Sequence, residues 1–163
     1  MQVTNSSSTT PDVTVIADVS LPPRLSVYDK GCKNQLPEIL VIGDSIIRNV
    51  HLPGSVTYCL SGGKTTDFIE IIPIIIDLHP SVHHILLHMG TNDVMSRQSV
   101  KLHHDLESLV ITIESLGKIC VLSGPIPTLS KSSERFSRHY SLHHWMRNFT
   151  TATGLDVISN FFL

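Results

Sequence analysis

Three short loops hold the residues whose types and spacing can do chemistry. Gly43-Asp44-Ser45 follows a run of four aliphatic residues. Gly62-Gly63-Lys64-Thr65 follows a second apolar stretch, and Gly90-Thr91-Asn92-Asp93 follows a third. A serine just past a buried strand, at the start of a helix, is placed as a nucleophile is. The helix N-terminus favours the negative charge that develops there. The same position equally suits a plain cap, with Asp44 or Ser45 holding a backbone N–H. In the third loop Gly90 permits close backbone approach, and Asn92 can present its side-chain amide to the same cleft. Gly, Asn and Asp are also ordinary turn residues. Gly63-Lys64-Thr65 ends like a phosphate-binding loop, but that motif needs a glycine where Tyr58 stands, so that reading is rejected.

The elements between these loops alternate. Apolar runs at 39–42, 56–60, 82–89, 118–122 and 155–158 read as short strands, the first buried on both faces. Helical spacing covers 65–78, with a kink expected at Pro73, and 99–116, where Leu102, Leu106, Leu109, Ile113 and Leu116 form one stripe. A third helix is expected over 132–153, with Phe136, Tyr140, His143 or His144, and Arg147 along its length and Gly154 as its C-cap. Strand–helix alternation predicts a three-layer α/β/α domain around a five-stranded parallel sheet, flavodoxin-like in layout. In such sheets ligands bind at the carboxyl ends of the strands, where all three loops fall. Residues 1–37 differ: Ser, Thr and Pro fill 11 of the first 23 positions, which predicts a flexible leader before a domain at 38–163. One short strand is expected inside that leader, at 13–16.

Composition sets the outer bounds. With 163 residues, 41% hydrophobic and 16% charged, the chain fits one globular domain and excludes a disordered, collagenous or coiled-coil protein. Twelve Lys+Arg against 14 Asp+Glu leave no basic field, which argues against a dedicated nucleic-acid binder. Cys32, Cys59 and Cys120 are odd in number and show no CxxC spacing. They read as buried thiols of a reducing compartment. The start carries no signal-peptide pattern and the most apolar stretch is too short to span a bilayer, so a cytoplasmic protein without a transmembrane segment is expected. Full protonation of ten histidines would move the net charge from −2 to +8, so surface behaviour should change below about pH 6.

Taken together and in this order, the loops resemble the blocks of the SGNH (GDSL-type) hydrolases over residues 38–163. More narrowly, the stretch is similar to the esterase domain in first-open-reading-frame proteins of fish non-LTR retrotransposons. The resemblance implies hydrolysis of an acyl or lipid-like ester, without cofactor or metal. It makes Ser45 the nucleophile, with the Gly63 backbone N–H and the Asn92 amide, beside the Ser45 N–H, as oxyanion donors. One such donor typically contributes about 10²–10³ in rate. The family's last block, Asp-x-x-His, has no counterpart: no aspartate from Asp12 to Asp156 has a histidine three residues on. The expectation is therefore a domain incomplete at its C-terminus, lacking the general base and a helix over one sheet face, and poorly soluble alone. The alternative function is a catalytically dead remnant kept as a binding or assembly module.

Other features receive plainer readings. His88 is four residues before Asn92 and is expected to point into the sheet packing rather than to replace the missing base. His139 and His143, at i and i+4, share a helix side with no carboxylate or cysteine to complete a metal set, and read as a solvated face. The basic and aromatic residues of 131–147 can bind single-stranded nucleic acid, but an amphipathic helix with its aromatics inward accounts for the same spacing.

Overall fold

The computed structural model describes residues 21–29, 35–127 and 132–161. Six strands form one sheet: β1 (Leu25–Asp29), β2 (Ile39–Asp44), β3 (Ser55–Leu60), β4 (His84–His88), β5 (Ile119–Ser123) and β6 (Asp156–Ile158). Their spatial order is β1-β3-β2-β4-β5-β6. The five strands from β2 to β6 run parallel, in the doubly wound order expected of a flavodoxin-like sheet. The sixth is a correction. Residues 25–29, assigned from composition to the leader, pair antiparallel with β3 and cover its free edge. The sequence Leu-Ser-Val-Tyr alternates weakly, and only the exposed ladder of β3 gives it a partner. The strand expected at 13–16 and Cys32 lie outside the described residues.

Four helices connect the parallel strands: α1 (Thr65–Ile69), α2 (Ile71–Leu78), α3 (Ser99–Ser115) and α4 (Ser133–Thr153). The 65–78 helix is divided at Glu70 rather than merely bent. Pro73 has no N–H for the carbonyl four residues earlier, and its ring clashes there; that residue is Ile69, the last of α1. Gly154 closes α4 in the left-handed conformation at φ 78°, and Ser132 caps its start by accepting from the Arg135 N–H.

One face of the sheet meets all four helices. Leu40, Ile42, Tyr58, Ile85, Leu87 and Leu122 form a single core with Phe68, Ile72, Ile75, Leu106, Leu109 and Met146. The alternate residues face the other way, where Val41, Ile47 and Cys59 make a second, small core. That face is covered by the short 3-10 turn Ser45–Asn49 and the residues after it.

The aromatic arrangement of α4 also departs from expectation. Phe136 and Tyr140 are each 47% exposed, while His139, Leu142, His143, Met146 and Thr150 are buried. The inward face is thus rotated by about one residue, and His139 and His143 are not solvated. A glycine explains part of the rotation: a β-carbon on Gly90 would stand 2.6 Å from Leu142 Cδ2. That notch accepts Leu142, with His143 one position on, and leaves the aromatic rings outside. Phe136 and Tyr140 pack instead against Phe161, at centroid distances of 5.9 and 5.8 Å.

Candidate active site

The chain leaves β2 toward β3 on one side and returns to β4 on the other, so the switch point lies between the carboxyl ends of β2 and β4. Gly43 is opposite His88 in that pair. A β-carbon on Gly43 would stand 2.3 Å from the His88 carbonyl oxygen, a clash with backbone that no side chain can relieve. The glycine of the first loop is therefore required by strand contact. Asp44 extends the strand, then accepts from the Ile46 N–H at 2.9 Å and so caps the 3-10 turn that begins with Ser45. Its carbonyl accepts from the Cys59 thiol at 3.3 Å. Ser45 itself is exposed at the mouth of this edge.

Gly63 is buried and tightly enclosed, since an added β-carbon would meet Phe68 Cε2 at 2.9 Å and Leu60 at 3.0 Å. Its N–H donates to the Leu60 carbonyl at 3.0 Å, closing the turn out of β3. Asn92 brings the third loop to the other two. Its side-chain amide donates to the Gly63 carbonyl at 2.9 Å and reaches Asp44 Oδ2 at 3.5 Å. The Gly90 backbone, at φ 96°, makes this turn from β4 in a conformation that suits glycine. Residues from all three loops thus meet at one edge of the sheet, Asn92 touching Gly63 directly and standing beside the Asp44 that precedes Ser45.

Asp93 contributes more than a turn. Its carboxylate accepts from the Thr65 N–H and the Thr65 hydroxyl, both at 3.0 Å, and so ties the third loop to the start of α1. Burial raises its pKa, and the two Thr65 bonds oppose that shift. Sequence reasoning read this residue only as a turn former. The signal available was a carboxylate one position after Asn92 and a threonine at the start of α1, where an unpaired backbone N–H invites an acceptor.

His88 does point into the packing. It is 2% exposed and its Nδ1 is 3.0 Å from Ser123 Oγ, a hydroxyl that accepts from Asn160 Nδ2 at 3.2 Å. Burial lowers its pKa, against the attraction of Asp44. Cys59 and Cys120 are free and buried, and burial raises both thiol pKa values, that of Cys120 to about 12. Among the described residues, no group of three His, Cys, Asp or Glu is placed to hold a metal ion. No described helix is long and apolar enough to cross a membrane.

No protein-family model matches the chain, and no curated protein matches it. Solved structures do. A lipolytic protein of the G-D-S-L family from Veillonella parvula superposes with a TM-score of 0.63 at 18% identity, over 74% of this chain and 76% of that one. The fold is that of the SGNH hydrolases. A GDSL-like lipase from Bacteroides thetaiotaomicron agrees, with a TM-score of 0.62 at 15% identity over 74% of this chain and 66% of that one. The esterase domain of the ZfL2-1 ORF1 protein, from a zebrafish retrotransposon, is 32% identical over 74% of this chain and 76% of that one, with a TM-score of 0.35. Within the SGNH fold, the carboxyl edge that gathers Ser45, Gly63 and Asn92 is the natural place for a small-molecule site.

Proposed function

We propose that this chain is a serine ester hydrolase, with Ser45 as nucleophile and Gly63 and Asn92 as oxyanion donors. The observation that carries this reading is the convergence of the Asn92 amide on Gly63 and Asp44, at 2.9 and 3.5 Å, on the switch-point edge of an SGNH-type sheet. In the reaction, Ser45 Oγ bonds to the acyl carbon and the carbonyl electron pair moves onto oxygen. That oxyanion takes hydrogen bonds from the Ser45 N–H, the Gly63 N–H and the Asn92 amide. Collapse expels the alcohol, and water then releases the acid from Ser45. The Gly63 N–H and the Asn92 amide are held by the Leu60 and Gly63 carbonyls. A charged oxygen is the stronger acceptor and draws both donors toward it. The substrate class is an acyl or lipid ester.

The serine proton must pass to a base and on to the leaving alkoxide. The sequence contains no Asp-x-x-His pair. Turnover through Ser45 should therefore be slow, with solvent water taking the serine proton and returning one to the leaving alkoxide in place of an imidazole. The test is hydrolysis of p-nitrophenyl butyrate by the chain, by Ser45→Ala and by Asn92→Ala. Loss of activity in Ser45→Ala and a fall of about 10²–10³ in Asn92→Ala are expected. Equal rates for the chain and Ser45→Ala would discard hydrolysis in favour of a remnant that keeps only the fold.

A further inference from the structure

Helix α4 reaches onto the third loop at three points. His139 has no exposed surface, and its Nε2 is 3.4 Å from the Thr91 carbonyl oxygen. Leu142 fills the notch at Gly90. Arg138 Nη1 donates to the Val94 carbonyl at 3.5 Å. These contacts bracket Asn92 along the chain, at the residue before it and at residues on either side. The Asn92 amide bonds run instead to Gly63 and Asp44, on the β2 and β3 side. The loop's side chain is therefore aimed by one half of the sheet and its backbone is held by the other.

The chemistry of His139 calls for an explanation. Thr91 offers a carbonyl, so Nε2 carries the proton and Nδ1 is a bare acceptor. Among the described residues that Nδ1 is buried without a hydrogen-bond partner. Leaving a buried polar atom unpaired costs about 1–3 kcal/mol by mutational measures, and an aliphatic side chain such as the neighbouring Leu142 or Met146 would avoid it. What the aliphatic side chain cannot do is donate to Thr91. Burial lowers the His139 pKa and so keeps the ring the neutral donor this contact needs.

We propose that His139 is a positioning residue for Asn92: it props the Thr91 carbonyl and thereby fixes where the Asn92 amide stands. The inference rests on the oxyanion role assigned to Asn92 above. Its test uses His139→Gln and His139→Asn, two polar variants of similar size. The glutamine amide reaches the place of Nε2, whereas the asparagine amide stops near Nδ1, short of Thr91. His139→Asn should lower kcat by about tenfold to 10²-fold, as a small misplacement does, with KM within about twofold. His139→Gln should stay close to the parent chain. A second readout does not need activity: NMR exchange of the Asn92 side-chain amide protons should quicken in His139→Asn and remain at the parent rate in His139→Gln. Equal exchange in the two variants would overturn the positioning role, whether or not the chain hydrolyses esters. Equal hydrolysis by the chain and Ser45→Ala would instead overturn the esterase reading while the exchange measurement still decides the prop.

Discussion

On one face of the sheet Leu40, Ile42, Ile85, Leu87 and Leu122 keep at most 1% of their surface beneath the helices. On the other, their strand neighbours Leu86 and Val121 are half-buried, and Ile119 and Ile158 are 52% and 44% exposed. Chain geometry explains the difference. Right-handed crossovers from β3 to β4, β4 to β5 and β5 to β6 all progress in one direction across the sheet and put their helices on one side. The β2-to-β3 connection progresses the opposite way, and it contains only the 3-10 turn Ser45–Asn49 as helical cover. The small second core of Val41, Ile47 and Cys59 gathers under that turn. The helix-covered face therefore supplies the cohesion, while the short turn on the open face carries the candidate nucleophile.

The sharpest way to break that comparison is a pair of truncations. Phe68→Ala, on the covered face, should cost about 3–5 kcal/mol, whereas Leu86→Ala, on the open one, should cost about 1 kcal/mol or less. Denaturant unfolding of the two variants measures both, and similar losses would mean that the open face is as closely packed as the covered one.

Acid should act next most strongly. His79, His103, His139 and His143 on or beside the helices, and His88 on the open face, all have pKa values lowered mainly by burial. For a histidine whose folded pKa is depressed, the unfolded chain binds the proton first. Stability is then full above the unfolded value near pH 6.5 and falls as the pH drops below it. Asp93, with its raised pKa, works in the opposite sense but nearer the carboxylate range. The melting temperature should fall by more than about 5 °C between pH 7 and pH 5.5, and a scan across that interval that stayed flat would contradict the burial of these rings. This revises the expectation drawn from ten histidines: five of them are harder to protonate in the fold than a free imidazole.

The smallest effect concerns the open face alone. Ile119→Lys, at the first position of β5, should change stability by no more than about 0.5 kcal/mol, yet reduce concentration-dependent light scattering, because it interrupts exposed apolar surface on that strand.

Much of this was legible in the residues. The run Ile39-Leu40-Val41-Ile42, apolar without alternation, marked a strand buried on both faces, and the Leu102-to-Ile113 stripe marked α3 by its helical period. Each of the three loops had an ordinary cap or turn reading, and only their order at successive strand ends made them a signal. Phe136 and Tyr140 misled, since helical spacing says which residues share a side but not which side meets the sheet. That choice was helped by the notch at Gly90, which takes Leu142 and is distant in sequence from the rings left outside. Residues 25–29 were missed for a similar reason: their strand is stabilised by the edge of β3, not by their own pattern.

By itself, then, the sequence determined the alternation of strands and helices, the loops that end them and the kinds of chemistry those loops can hold. These follow from local periodicity and from backbone demands at single residues. Only the tertiary structure decided that Asn92 turns toward Gly63 and Asp44, that Asp93 clasps Thr65, that His139 stands behind Thr91, and that among the described residues one sheet face carries no α-helix. Each of those depends on pairings across tens of residues, set by crossover handedness and by where a glycine leaves room.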